Sequence, residues 1–160
     1  MTGNDAQYTH LPMHISAATQ ADIPVLCELL RELFSQESEF TPDADAQYRG
    51  LARIIGNPQA GTILVAHDHD AIVGMVNLLY TESTALGARV ATLEDMVVFP
   101  ASRGKGIGTM LLQAAFQLAR VQGCKRITLL TDAHNAAAQR FYSRHGFGLS
   151  SMVPMRLRLD

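Results

Sequence analysis

The sequence predicts an α/β (α+β) fold, a mixed central sheet of roughly six to seven strands flanked by about four helices. Three observations predict it. Segments of helical and strand periodicity alternate in the order β-α-α-β-β-β-α-β-α-β-β. A glycine-rich turn, Arg103-Gly104-Lys105-Gly106-Ile107-Gly108, joins a long strand pattern to the strongest amphipathic helix pattern in the chain. The 160 residues are 48% hydrophobic and 18% charged, a globular balance. A chain of this length buries about two thirds of its unfolded surface and needs no staples to fold.

The first dozen residues read as a flexible tail, and residues 13–160 as one domain. Met13 to Ala17 alternates as a first strand. Thr19 and Asp22 resemble a capping box, and Pro24 belongs in a helix's first turn. Ile23, Leu26, Leu29, Leu30 and Leu33 then recur at helical spacing. Phe34 to Asp45 is an acidic loop. Ala46 to Ile55 is a second helix with Tyr48, Leu51, Ala52 and Ile55 on one face, broken by Gly56, Asn57 and Pro58. Thr62–Ala66 and Ala71–Tyr80 form a hairpin about the turn 67–70. Arg89 to Phe99 is a long strand ended by Pro100, and Gly106 to Gln122 a helix stopped by Gly123. Arg126–Leu130 is a strand. Asn135 to His145 is a helix with Asn at its N-cap and Gly146 beyond its end. Phe147–Leu149 and Met155–Leu159 are expected to close the sheet.

The net charge of −2 gives no general pull toward nucleic acid or anionic membrane. Cys27 and Cys124 are too few for a disulfide scaffold or a cysteine zinc site, and read as small buried thiols of a reducing compartment. No apolar run approaches the ~20 residues of a membrane span. The N-terminus lacks the pattern of a signal peptide, so a cytoplasmic location is expected.

The turn at 103–108 is the sharpest local signal. Glycines admit a close ligand, and the first N–H groups of a helix have no internal partner. Those donors and the helix dipole favour an anion, and Arg103 and Lys105 add mobile positive charge, a combination suited to a pyrophosphate. The mononucleotide P-loop spacing fails because Lys105 lies between glycines. The dinucleotide fingerprint fails because the sixth place falls on Thr109 or Leu111.

At these residues the chain resembles the GNAT superfamily of acyl-CoA N-acetyltransferases. Arg103-x-x-Gly106-x-Gly108, after a strand ending Met96-Val97-Val98-Phe99-Pro100, is similar to that family's acyl-CoA signature. Asn135-x-x-Ala138-x-x-Phe141-Tyr142-x-x-x-Gly146-Phe147 is similar to its next motif. The resemblance implies a GNAT-type domain with splayed fourth and fifth strands. It implies acetyl-CoA as co-substrate, with its pyrophosphate on the amides of Arg103, Gly104, Lys105, Gly106, Ile107 and Gly108, and Thr109 just beyond. It also implies that the pantetheine arm pairs with Met96, Val97 and Val98 as an added strand, where a backbone N–H would polarise the thioester carbonyl. Tyr142 matches the general acid that protonates the departing thiolate. Asn135 matches a position contacting the CoA arm, and reads equally well as a plain N-cap.

The base is left between Glu94, the first choice, Asp95 and a water chain. Neighbouring strand residues face opposite sides, so one carboxylate is expected to point inward. The glutamate that some relatives carry on the fifth strand is Leu130 here. No metal is expected: His67, Asp68, His69 and Asp70 read as a solvated turn. His134 reads as a loop residue, His145 as a dipole partner, and Arg140 and Arg144 as solvent-facing. Glu37, Glu39, Asp43 and Asp45 with Phe34 and Phe40 suit either a cationic acceptor or an acidic surface.

The expected activity is acetyl transfer from acetyl-CoA to a primary amine by direct attack in a ternary complex. The expected acceptor is a small amine-bearing metabolite or antibiotic-like molecule. A protein or peptide N-acetyltransferase and a non-catalytic acyl-CoA-binding module are the alternatives. No nucleic-acid or membrane partner is expected, and the family's homodimers leave that state open.

Overall fold

A computed structural model describes residues 12–37 and 41–160. Residues 1–11 of the predicted tail, and Glu39 and Phe40 of the acidic loop, lie outside the described residues. The chain divides after Leu130 into two compact units.

The first unit is built on a five-stranded sheet in the order β1-β2-β3-β4-β5. The strands are β1 (Met13–Ala17), β2 (Gly61–Asp68), β3 (Ala71–Ser83), β4 (Ala88–Val98) and β5 (Ile127–Leu129). The first four pair antiparallel, and β5 joins β4 in parallel. Helices α1 (Ile23–Phe34) and α2 (Ala44–Ile55) precede β2, and α3 (Ile107–Val121) links β4 to β5.

Each helix start follows from local chemistry. Asp22 Oδ2 accepts from Thr19 N at 2.7 Å and from Thr19 Oγ1 at 3.0 Å, bracing the short 3-10 turn that leads into α1. Pro24 sits in the first turn of α1, where its missing N–H costs nothing. Asp43 caps α2 by accepting from Ala46 N at 3.0 Å. Gly123, at φ 77°, follows the end of α3. The hairpin turn is tighter than predicted: Asp68 pairs with Ala71, leaving only His69 and Asp70 between.

The helices α1 and α2 cover one side of the sheet. Ile23, Leu26, Leu29 and Leu30 of α1 and Leu51 of α2 pack on Ile63, Val65, Met75 and Val97. Burying a side chain such as Leu26 or Leu29 contributes about 1.5–3 kcal/mol. Alternate residues Leu64, Ala66, Val76 and Leu78 are buried as well. On that side α3 packs on β2, β3 and β4 through Ile107, Leu111, Leu112, Ala115 and Ala119. Two expectations are corrected here. Tyr48 is 51% exposed, so the apolar face of α2 centres on Leu51. Cys27 and Cys124 are half-buried free thiols, not fully buried ones.

The second unit holds α4 (Ala136–Arg144), capped by Asn135 Oδ1 accepting from Ala138 N at 3.0 Å. The closing strands predicted at 147–149 and 155–159 do not form, so the described sheet has five strands and not six to seven. Met155, Leu157 and Leu159 alternate as a strand would, yet they are 96%, 82% and 94% exposed. Alternation makes a strand only where a neighbouring edge supplies hydrogen bonds, and none pairs with this segment.

Candidate active site

The centre of the first unit is an irregularity in β4. Met75 pairs with Val97, but Asn77 pairs with Glu94, so Asp95 and Met96 together oppose Val76. This is a β-bulge, and Asp95 within it adopts a left-handed backbone at φ 50°. Such a conformation is uncommon outside glycine and is tolerated best by Asn and Asp.

The bulge lies just beyond the end of the β4–β5 pairing. The pairing of β4 with β5 covers only Ala91–Leu93 against Ile127–Leu129. Beyond Leu93, β4 continues through Val98 with β3 on one side and, among the described residues, no strand on the other. The β4–β5 pairing ends at Leu93 because β5 itself stops at Leu129. This leaves the main chain of Met96, Val97 and Val98 as an edge. Val97 is buried, and Met96 and Val98 are half-buried, so side-chain packing and an open backbone edge coexist.

This edge leads through the 3-10 turn Pro100–Ser102 into residues 103–108. Gly104 and Gly106 have φ of 76° and 80°, and a Cβ at either would meet nothing within 4 Å. Glycine is thus required by the backbone angle, and the space before the turn is open. Gly106 stands at the N-cap of α3 with no side-chain cap, while Ile107 is buried and anchors the helix. The amides of the first turn have no carbonyl four residues back, and the positive end of the helix dipole lies here. A diphosphate suits that set of donors.

Arg103 departs from its expected part as a mobile cation. Its Nε donates to the Val98 carbonyl at 2.9 Å, and its Nη2 lies 3.4 Å from Glu32 Oε1. The side chain thereby braces the end of β4 against α1. Lys105 is exposed and remains the cation carried on the turn itself.

The two carboxylates of β4 differ in setting. Glu94 is exposed and Asp95 is half-buried. Burial above all pushes the Asp95 carboxyl up to about 6; the nearby charges of Glu94 and Glu37 push the same way, and a hydrogen bond from Asn77 opposes them. That bond runs from Asn77 Nδ2 to Asp95 Oδ2 at 3.4 Å. Asn77 is 1% exposed, and its Oδ1 has no hydrogen-bond partner among the described residues. Counted from the Asn77–Glu94 pair, strict alternation would put Asp95 on the opposite face; with the bulge it lies within reach of the amide. Sequence reasoning passed over Asn77, although one amide in the apolar run Ile72–Leu79 was a visible signal.

In the second unit, the Asn135 side chain is occupied as the helix cap. Tyr142 is half-buried, with its ring edge-to-face with Phe141 at 5.4 Å and with Phe147 at 5.7 Å. Burial raises its phenol above the ordinary value of 10.0. His145 Nδ1 lies 2.8 Å from the Phe141 carbonyl near the end of α4, in keeping with a helix-terminal role. His134 is exposed.

The two histidines of the 67–70 turn make contacts of their own. His67 stacks on His14 at 4.4 Å and lies 2.9 Å from Ser16 Oγ, while His69 pairs with Asp68 at 2.9 Å. Among the described residues no three His, Cys, Asp or Glu groups converge as metal ligands, and no helix is long and apolar enough to cross a membrane.

Comparison with known proteins places this geometry. The chain is 32% identical over 138 residues to the uncharacterized N-acetyltransferase YhfO of Bacillus subtilis, covering 84% of this chain and 89% of that one. It is 28% identical to the aminoalkylphosphonate N-acetyltransferase of Salmonella typhimurium, covering 81% of each. The integron cassette protein HFX_CASS3 from the mobile metagenome of Cole Harbour Salt Marsh has a similar structure. Its TM-score is 0.79 at 29% identity, over 91% of this chain and 90% of that one. Residues 23–147 match the Acetyltransferase (GNAT) family, a span that takes in the bulged strand, the glycine turn and the Tyr142 helix. An open strand edge running into an anion-binding helix start is what an acetyl-CoA-dependent acyltransferase needs, and the chain belongs to the GNAT family of N-acetyltransferases.

Proposed function

We propose that this N-acetyltransferase moves the acetyl group of acetyl-CoA to the primary amine of a small metabolite or antibiotic-like molecule, by direct attack in a ternary complex. One observation carries the reading: among the described residues β4 beyond Leu93 has a strand on one side only, its second edge meeting just the Arg103 side chain at Val98, and it ends at the glycine turn and the start of α3. An amide-bearing arm can add to such an edge as a strand while its diphosphate rests on the helix amides. The residues that would hold the co-substrate are Met96, Val97 and Val98 along the arm, Arg103 through Thr109 at the diphosphate, and Asn135. The small-molecule acceptor is supported by the relative whose name specifies an aminoalkylphosphonate.

The residues divide the proton work. An amine of ordinary pKa, about 10, enters as ammonium and must lose a proton before attack. The exposed Glu94 would draw the cation in and take that proton, directly or through water. N–H groups near Val97 and Val98 would stabilise charge on the carbonyl oxygen. Tyr142 would give its proton to sulfur, a role that a phenol kept neutral by burial suits. The two proton roles thus fall to groups of different acidity, and no covalent enzyme intermediate is required.

Calorimetry with acetyl-CoA tests the donor half, and thiol release from acetyl-CoA across a panel of amines tests transfer. Heat of binding plus thiol release with at least one small amine is expected. Binding without thiol release for any amine or peptide would make the chain a non-catalytic acyl-CoA module. Release with peptide N-termini alone would move the acceptor to proteins.

A further inference from the structure

We propose that Arg103 is an internal competitor for the donor edge: its guanidinium holds the Val98 carbonyl that the amide-bearing arm of CoA would use, Glu32 of α1 steadies it there, and the arm binds by displacing it. The inference rests on the acetyl-CoA reading above. It goes beyond that reading in naming a pair of side chains that sets how readily the edge opens.

The direction of the Val98 carbonyl follows from register. Gly74 pairs with Val98, and Phe99 N donates to the Val73 carbonyl at 2.9 Å. In an antiparallel ladder, hydrogen-bonded pairs alternate with pairs whose polar groups point away from each other. Val73 and Phe99 carry the bond, so the N–H and C=O of Val98 point away from β3. They face the side where, among the described residues, no strand lies. An arm added to this edge as a strand would donate to that oxygen from a nitrogen about 2.9–3.0 Å away. Arg103 Nε donates to it from 2.9 Å. The side chain therefore stands where the arm's amide would stand.

A second contact decides how firmly it stands there. Arg103 Nη2 lies 3.4 Å from Glu32 Oε1, and Gln36 Nε2 donates to the same oxygen at 2.7 Å. One guanidinium thus ties the end of β4 to the end of α1. The ion pair is not deeply buried, since the side chains of Arg103 and Glu32 are 46% and 32% exposed. A pair this exposed is weak, and it can open without disturbing the core.

The consequence is a lowered affinity for the arm. A ligand that binds only the open arrangement has its intrinsic affinity reduced by the fraction of open molecules. Weakening the Glu32 contact raises that fraction and tightens CoA binding. Arg103→Ala would remove the competitor together with a cation beside the glycine turn, so Glu32, on another element, is the cleaner handle.

The test reads Arg103 directly by NMR in protein labelled with 15N-arginine. The Arg103 Nε–H signal, assigned by its loss in Arg103→Lys, should be protected from solvent exchange before ligand is added. Saturating CoA should remove that protection. ADP, which has the diphosphate without the arm, should leave it in place. Glu32→Gln keeps the shape and removes the charge, and should tighten CoA binding in calorimetry by roughly two- to fivefold, the range that an exposed pair supports. Should that variant fail to fold, the NMR comparison of CoA with ADP decides alone. No protection before ligand, protection that survives saturation with CoA, protection lost equally with ADP, or an affinity in Glu32→Gln no tighter than wild type would overturn the proposal. CoA that gives no heat with the wild-type protein would overturn the donor reading itself, so the two failures are told apart.

Discussion

Tyr142 shows how much a single residue's surroundings decide. Its ring meets the edges of Phe141 and Phe147, and burial holds the phenol above its ordinary value of 10.0. At neutral pH the proton is therefore present, as an acid needs. Replacing Tyr142 by Phe keeps the ring contacts and removes only the hydroxyl. Turnover should fall by roughly 10²-fold, a typical loss for a general acid, while calorimetric affinity for acetyl-CoA stays near the wild type. Equal turnover in the two proteins would take Tyr142 out of the chemistry. The place of Tyr142 on α4 was legible in the sequence, because it stands between a capping Asn135 and a terminating Gly146. Asn77 was not. Its meaning depends on a partner eighteen residues away that reaches it only through a bulge. Arg103 was half legible: the cation was plain, but not that Val98 and Glu32 would hold it.

At the scale of elements, the proposed reaction would use the strand, turn and α3 as one device. The strand supplies an edge, Gly104 and Gly106 turn the chain, and the helix presents amides. Gly106→Val tests it. A β-branched residue at φ 80° is strained, and its side chain would enter space that is open in front of the turn. Acetyl-CoA binding should be lost by calorimetry while circular dichroism still reports the helices. A variant that bound normally would show that the anion sits elsewhere. Arg103→Ala should weaken binding less than Gly106→Val, because its guanidinium is committed to Val98 and Glu32. Most elements were legible from periodicity and punctuation: Pro24, Gly56, Pro100, Gly123 and Gly146 each mark a boundary close to the observed one. The bulge was hidden because Glu94-Asp95-Met96 reads as ordinary alternation. A bulge is a property of two strands in register, and only the pairing of Met75 and Asn77 with Val97 and Glu94 reveals it.

For the molecule as a whole, the order of elements along the chain, the β2–β3 hairpin and the apolar faces of α1 and α3 were implied by spacing, while the sheet order was not. The C-terminal segment was not, since Met155, Leu157 and Leu159 carry a strand's pattern without a strand's partner. The carboxyl of Asp95 in the bulge also sets a whole-molecule property, the dependence of stability on pH. The Asp95 carboxyl is raised to about 6 in the folded state, against about 3.9 in an unfolded chain. Below both values the group is protonated in either state and adds nothing. Between them the folded protein binds the extra proton, so this group makes stability fall as pH rises from about 4 to about 6. Above that window the folded state carries a full penalty of at most about 3 kcal/mol. Asp95→Asn removes the titration and keeps the shape. Measured by urea unfolding at a series of pH values, the variant should gain on the wild type steadily across that window and hold its advantage at pH 7. Parallel curves would mean that Asp95 ionises as freely in the fold as in water, and that burial at the bulge costs nothing.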